Sequence, residues 1–307
     1  MNNIKLKLSL LIVSFFYIFA FFILDEFEIL SKIKKIDLFD FFVLFLLFFI
    51  SIMLRYIRWY LILNSQGVNG EFFFGFLRYS SGFLYTATPG KVGELSRIYF
   101  YRNTAVKKEN IVSAFIFERS FDLVVVLLLS TFILFNSGTF GYVAISISSF
   151  IFSLFFVCFF LEKVKFFSKS DNILIGFIFD VFILIKKNIS VKISLISFLL
   201  GFFSWIITSY ILIYLLYSLE LIVDFHLEFI SIYPLSMLVG ALTFIPGGVG
   251  TTETTIVYIL NSFNINIGDS ILVAVLARFS TIWMATILGL FCSWVVSLKN
   301  IDIKNRK

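Results

Sequence analysis

Glu118, Arg119 and Asp122 stand inside one apolar run, and Arg278 stands alone inside another. An ionisable side chain in hydrocarbon costs several kcal/mol unless it is paired or hydrated, so each is a functional candidate. Glu118 and Asp122 have the i, i+4 spacing that puts two carboxylates on one face of a helix. Upstream of these charges lie two related motifs. The first is Thr88-Pro89-Gly90-Lys91-Val92-Gly93-Glu94-Leu95, with Arg97 two positions on. The second is Pro246-Gly247-Gly248-Val249-Gly250-Thr251-Thr252-Glu253. Arg119 follows Pro89 by 30 residues and Arg278 follows Pro246 by 32, so the repeat extends past the motifs. Proline removes a backbone donor and glycine opens conformations closed to other residues, so each motif breaks a helix. The start of the next half-helix then exposes N–H groups that attract anions. Lys91 adds a cation in the first copy, where the second has Gly248. Glu94 and Glu253 are placed to cap those N–H groups or to pair with an arginine, Glu94 with Arg119 and Glu253 with Arg278. Such pairs would fix helix packing, and a paired arginine can also exchange its carboxylate for a phosphate.

The elements that must carry these residues are membrane helices. Of 307 residues, 60% are hydrophobic, 14% are charged and 44 are Phe. Many apolar runs approach the roughly 20 residues that span a bilayer. No polar stretch is long enough for a separate soluble domain, so residues 1–307 read as one integral membrane domain. The net charge of +6 comes from Lys and Arg flanking apolar runs, where they set topology and touch anionic head groups. It is no sign of nucleic-acid binding. Cys158 and Cys292 lie in apolar runs without metal spacing, and His226 is the single histidine. No metal site, cofactor or nucleotide-binding pattern is expected, which argues against ATP-driven pumping by this chain alone.

The distribution of basic residues predicts an all-α, polytopic bundle with both termini cytoplasmic, in a cytoplasmic membrane. Spans are expected over 8–24 (uncleaved), 39–54, 111–135, 142–161, 193–217 and 271–298. Arg55, Arg58, Trp59 and Tyr60 read as an interfacial belt at the end of the second. The apolar run 173–185 is too short to span and is basic at both ends, which suits the cytoplasmic interface. Segments 71–101 and 229–263 carry the motifs and read as re-entrant hairpins. Three crossings separate them, so the hairpins enter from opposite faces. Repeat halves over 39–161 and 192–298 are then inverted, joined by a basic interfacial segment over 162–191. Broken helices in corresponding positions of two halves mark the binding site of a transporter-like fold.

The two motifs, with Glu118-Arg119 and Asp122-Leu123 between them, resemble the lysylphosphatidylglycerol synthase transmembrane-region family, whose members are often called flippase-like. The resemblance covers nearly the whole chain. It implies lipid translocation rather than aminoacyl transfer, because the soluble transferase domain joined to some relatives is not in this sequence. A phospholipid or a polyprenyl-phosphate-linked sugar would rest between the hairpin tips. Gly90, Gly93, Gly247, Gly248, Gly250 and Thr251 would line the approach, and Lys91, Arg97, Arg119 and Arg278 would hold the phosphate. Glu94 and Glu253 would organise these cations or relay protons, Glu118 and Asp122 would join them at the substrate site, and in a glycosyltransferase one of these four acids would act as base or metal ligand. Partners would be the membrane lipids and a separate glycosyltransferase or lipid-modifying enzyme. Two alternatives stay open: a membrane glycosyltransferase or its subunit acting on a polyprenyl phosphate, and a transporter of small solutes or ions.

Overall fold

The structure, a computed structural model, describes residues 32–33, 35–68, 70–102, 104–135, 173–188, 190–222 and 224–305. The spans expected over 8–24 and 142–161 lie outside the described residues, as do Cys158 and the lysines at 163, 165 and 169.

Regular structure among the described residues is helical throughout. Three helices among the described residues are long and apolar enough to cross a membrane: Leu38–Ser65, Val191–Ser218 and Ile267–Leu298. The first, α1 (Leu38–Ser65), starts at a reciprocal cap in which Asp37 accepts from the Asp40 N–H and Asp40 accepts from the Asp37 N–H. It runs eleven residues past the expected boundary of 39–54. A helix of 28 residues is about 42 Å long at about 1.5 Å per residue, more than the hydrocarbon core of about 30 Å requires.

The first motif region is made of short pieces: α2 (Phe72–Ser81), 3-10 turns over Gly82–Tyr85 and Pro89–Ser96, and α3 (Arg97–Phe100). Then comes α4 (Lys108–Phe135), which carries Glu118, Arg119 and Asp122. The apolar run expected over 173–185 is α5 (Ile173–Asn188), packed on α4 and α1. Next is α6 (Val191–Ser218), begun by the Ser190 hydroxyl accepting from the Ile193 N–H. The second motif region is α7 (Phe229–Leu242), a 3-10 turn at Pro246–Gly248, and α8 (Thr251–Ser262). The final helix consists of α9 (Ile267–Arg278), a five-residue π-helical turn over Phe279–Trp283 and α10 (Met284–Asn305). Its break falls one residue after Arg278, and π-turns of this kind cluster at functional sites.

The helices pack reciprocally. α1 and α6, which lead into the two motif regions, pack along each other. α4 follows the first motif and packs on α7, which precedes the second. α10 follows the second motif and packs on α2, which precedes the first. Between α1 and α6 the contact is partly polar: Ser51 Oγ lies 3.0 Å from both Ser204 Oγ and Thr208 Oγ1. Small hydroxyl residues of this kind let apolar helices approach and hydrogen-bond across the contact. Gly289 serves the α10–α2 side. A Cβ there would stand 2.3 Å from the Leu84 backbone nitrogen, too close for any side chain.

Gly289→Ala should therefore push α10 off the Gly82–Tyr85 turn and destabilise the detergent-solubilised protein by about 1–3 kcal/mol. Gly70→Ala, with nothing within 4 Å of the added methyl, should be neutral in the same thermal unfolding assay.

Candidate functional site

Three arginines, Arg58 on α1, Arg97 on α3 and Arg119 on α4, converge on the carboxylates of α4 and of the first motif. Arg58, on α1, has no solvent exposure, and its Nη2 donates to Glu118 Oε1 at 3.0 Å and to Asp122 Oδ1 at 2.7 Å. Tyr79 Oη donates to the same Glu118 oxygen at 3.0 Å. Arg119 Nη1 lies 3.2 Å from Asp122 Oδ2, and its Nη2 lies 3.5 Å from Glu118 Oε2 and 3.8 Å from Glu94 Oε2. Arg97 donates from Nη2 to Glu94 Oε2 at 2.8 Å and from Nε to the Tyr79 carbonyl at 3.0 Å. Its guanidinium stacks in an aromatic box, 4.0 Å from the Tyr79 ring centroid and 4.7 Å from that of Trp59. Gly201 on α6 admits this cluster, since a Cβ there would stand 2.5 Å from Arg58 Nη1.

The belt expected at Arg55, Arg58 and Trp59 is thus corrected. All three are buried, and Arg58 and Trp59 completely so. The residues usually found at an interface are placed inside because α1 continues for about three more turns and because α4 supplies the matching carboxylates. Sequence reading missed Arg55 and Arg58 as members of the site. The signal was available: they share α1 with a long apolar run and needed counter-charges, and Glu118 with Asp122 offered two.

The second motif repeats the logic with fewer charges. Arg278 is fully buried, and its Nε donates to Glu253 Oε1 at 2.9 Å. The other Glu253 oxygen accepts from the Gly250 N–H at 2.8 Å. Glu253 therefore caps α8 and pairs with the arginine at once, and the expected pairings of Glu253 with Arg278 and of Glu94 with Arg119 are both present. Gly247, Gly248 and Gly250 have φ of 67°, 63° and 85°, the left-handed region that glycine alone occupies without penalty. Arg278 also donates to the Gly247 carbonyl, which fixes this turn against the final helix. Thr251 Oγ1 donates to the Gly248 carbonyl at 3.2 Å.

Three of the motif glycines use their N–H groups within their own turns. Gly93 N–H donates to the Thr88 hydroxyl at 2.6 Å, Gly248 N–H to the Ile245 carbonyl at 2.9 Å, and Gly250 N–H to Glu253. These three donors are spent inside the turns, and side-chain cations line the space between the turns. Gly90 lies in the 3-10 turn that starts at Pro89.

The two motif turns touch. A Cβ on Gly247 would lie 3.6 Å from both Cα and Cβ of Ala87, just before the first motif. Between them opens a cavity of about 380 Å³. Lys91, Arg119 and Asp122 line it from the first half, and Gly247, Gly248 and Thr252 from the second. Trp205 of α6 and Met237 of α7 complete its inner wall. Behind that wall is a smaller chamber of about 70 Å³, which shares Thr86, Lys91, Trp205, Met237 and Ile282 with the larger one. Arg55, Glu94 and Arg278 reach this inner chamber. Lys91 takes a left-handed φ of 56°, a conformation that costs a non-glycine residue about 1–2 kcal/mol. Arg55, Arg58, Lys91, Arg97 and Arg119 thus face Glu94, Glu118 and Asp122, and positive charge is in excess. Among the described residues, Arg55 and Lys91 have no carboxylate within salt-bridge distance.

Removal of one partner of a buried ion pair leaves the other uncompensated and costs about 3–5 kcal/mol. Arg58→Ala and Glu118→Gln should each lower thermal stability by that order. An arginine at a membrane interface would not move it, so unchanged unfolding of Arg58→Ala would reject the buried network.

A comparison with curated proteins finds no match. The buried charges that follow two Pro-Gly motifs, held by long apolar helices, agree with a match to one family model over residues 6–289. The chain belongs to the lysylphosphatidylglycerol synthase TM region family and is a membrane protein.

Proposed function

We propose that this protein moves the head group of an anionic lipid, a phospholipid or a polyprenyl-phosphate-linked glycolipid, across the membrane. One observation carries the reading: the cavity between the two motif turns holds cations in excess of carboxylates. An uncompensated cation in a low-dielectric site is unfavourable, and a bound anion removes that penalty. Lys91 and Arg119 would contact the anion first, because both line the larger chamber and neither is fully enclosed. The apolar side chains Leu123, Val126, Leu238 and Ile245 on the same walls suit the lipid that accompanies such a head group.

The reciprocal packing of α1 with α6, α4 with α7 and α10 with α2 supports an inverted repeat in one integral domain, with the motif regions as re-entrant hairpins. In alternating access the touching turns at Ala87 and Gly247 would close one path and separate to open it. Arg97 takes no part in holding the ligand, since Glu94 and the aromatic box already enclose it. Glu94, Glu118 and Asp122 keep the arginines in place rather than act as bases or metal ligands, because each is engaged by at least one guanidinium.

The test is translocation of fluorescent phosphatidylglycerol and phosphatidylcholine in liposomes containing the purified protein. The expected result is faster movement of the anionic lipid, lowered on the order of tenfold in Lys91→Ala and in Arg119→Ala, the effect of about 1.4 kcal/mol. Equal movement of the two lipids, or none without a sugar donor, would reject the reading; product formed with the donor would favour a glycosyltransferase.

A further inference from the structure

The inner chamber is distinct from the wider cavity in charge and in size. Arg55, Lys91 and Arg278 all line it, although they belong to α1, the first motif and the final helix. Glu94 is the carboxylate on its wall, and both of its oxygens are taken: Oε1 accepts from the Thr86 hydroxyl at 3.0 Å and Oε2 accepts from Arg97 at 2.8 Å. Arg55 is more than nine-tenths buried. Its Nε donates to Ser204 Oγ at 2.7 Å, and its guanidinium lies 4.9 Å from the Trp205 ring centroid. These contacts hold the side chain in place while its two terminal nitrogens make no hydrogen bond among the described residues. The Trp205 indole N–H, on the same wall, is buried and likewise without a hydrogen-bond partner. Arg278 turns Nη1 to the Met237 sulfur at 3.3 Å. A thioether is a weak acceptor, so an oxyanion would displace it from that nitrogen.

The volume limits the occupant. One water-sized group needs about 10–15 Å³ by this measure, so the chamber admits roughly five to seven. A single phosphate group, with its five heavy atoms, is of that size, and a whole sugar or glycerol phosphate is not. We propose that the inner chamber is a subsite for one phosphate group held by Arg55, Lys91 and Arg278, the remainder of the head group lying in the larger chamber. Planar guanidinium forks suit phosphate oxygens, and Lys91, shared by both chambers, contacts the phosphate at the junction. This inference rests on the anionic-lipid reading for its source of phosphate, and it adds Arg55, outside both motifs, to the ligand set.

The test uses the full chain in a non-ionic detergent, with stabilisation against heat as the readout. The probes are dihexanoyl phosphatidylglycerol, inorganic phosphate and an uncharged dihexanoyl glycerol, with wild type, Arg55→Gln, Arg55→Lys and the exposed control Lys108→Gln. Phosphatidylglycerol should stabilise wild type and Lys108→Gln alike, and its apparent affinity should fall at least tenfold in Arg55→Gln. Arg55→Lys, which keeps the charge but loses the fork, should fall in between and decides the question if Arg55→Gln does not fold. Uncharged dihexanoyl glycerol should have no effect. Equal affinity of phosphatidylglycerol for wild type and both Arg55 variants would overturn the subsite and leave lipid translocation standing. Stabilisation by inorganic phosphate alone, dependent on Arg55, would keep the subsite and overturn the lipid as its source.

Discussion

A guanidinium with no access to water must find its counter-charge inside the protein, and Arg58 imposes that condition on most of this structure. It sits on α1, yet its partners Glu118 and Asp122 sit on α4, and the glycine that makes room for it sits on α6. Three long helices are thereby fixed in register at one depth. Glu118 then recruits Tyr79 and Arg97, and Arg97 recruits Glu94, so the first motif is tied to the same point. The network is demanding because each deletion strands a charge rather than merely losing a contact. It also leaves a surplus: after the carboxylates are shared among Arg58, Arg97 and Arg119, Arg55 and Lys91 face the cavity with their charge uncompensated. The network that stabilises the bundle thus sets which cations, Arg55 and Lys91, are left over.

The second half holds its motif by other means. Here the turn depends on backbone freedom, with left-handed glycines at 247, 248 and 250 and a close approach at Gly240, whose added Cβ would stand 2.2 Å from Thr252 Oγ1. Glu253 closes the N-terminus of α8 and anchors Arg278 beside the π-helical turn. A helix start already occupied by its own carboxylate is a poor site for a second anion. On the proposed reading this turns attention to the cations of the cavity wall, Lys91 and Arg119. The contrast between a charge-rich first motif and a glycine-rich second motif gives the cavity two unlike walls, one electrostatic and one shaped by backbone.

Much of this was legible in the sequence. Apolar length identified α6 nearly to the residue, and the charges of α4 and α9 pointed to the candidate site, because an ionisable group inside an apolar run is costly unless paired. The pairings of Arg119 with Glu94 and of Arg278 with Glu253 followed from the same reasoning. Arg55 and Arg58 did not, because Arg-x-x-Arg followed by Trp-Tyr is also how a span ends at a membrane surface. Only three-dimensional packing tells whether such arginines meet lipid head groups or carboxylates. The N–H groups of Gly93, Gly248 and Gly250 were not legible for a related reason: sequence shows that a turn is possible, whereas its internal hydrogen bonds decide which donors it uses. The first span and the span over 142–161 belong to segments outside the described residues.

The central claim is that an anion passes between two motif turns that now touch. With Cys158 and Cys292 replaced by serine, Ala87→Cys and Gly247→Cys can be combined, since the 3.6 Å between the corresponding Cβ positions suits a disulfide. Movement of labelled phosphatidylglycerol would be measured in liposomes before oxidation, after it, and after reduction. The account predicts that the cross-link forms, that lipid movement stops, and that reduction restores it. Efficient cross-linking with undiminished lipid movement would contradict it.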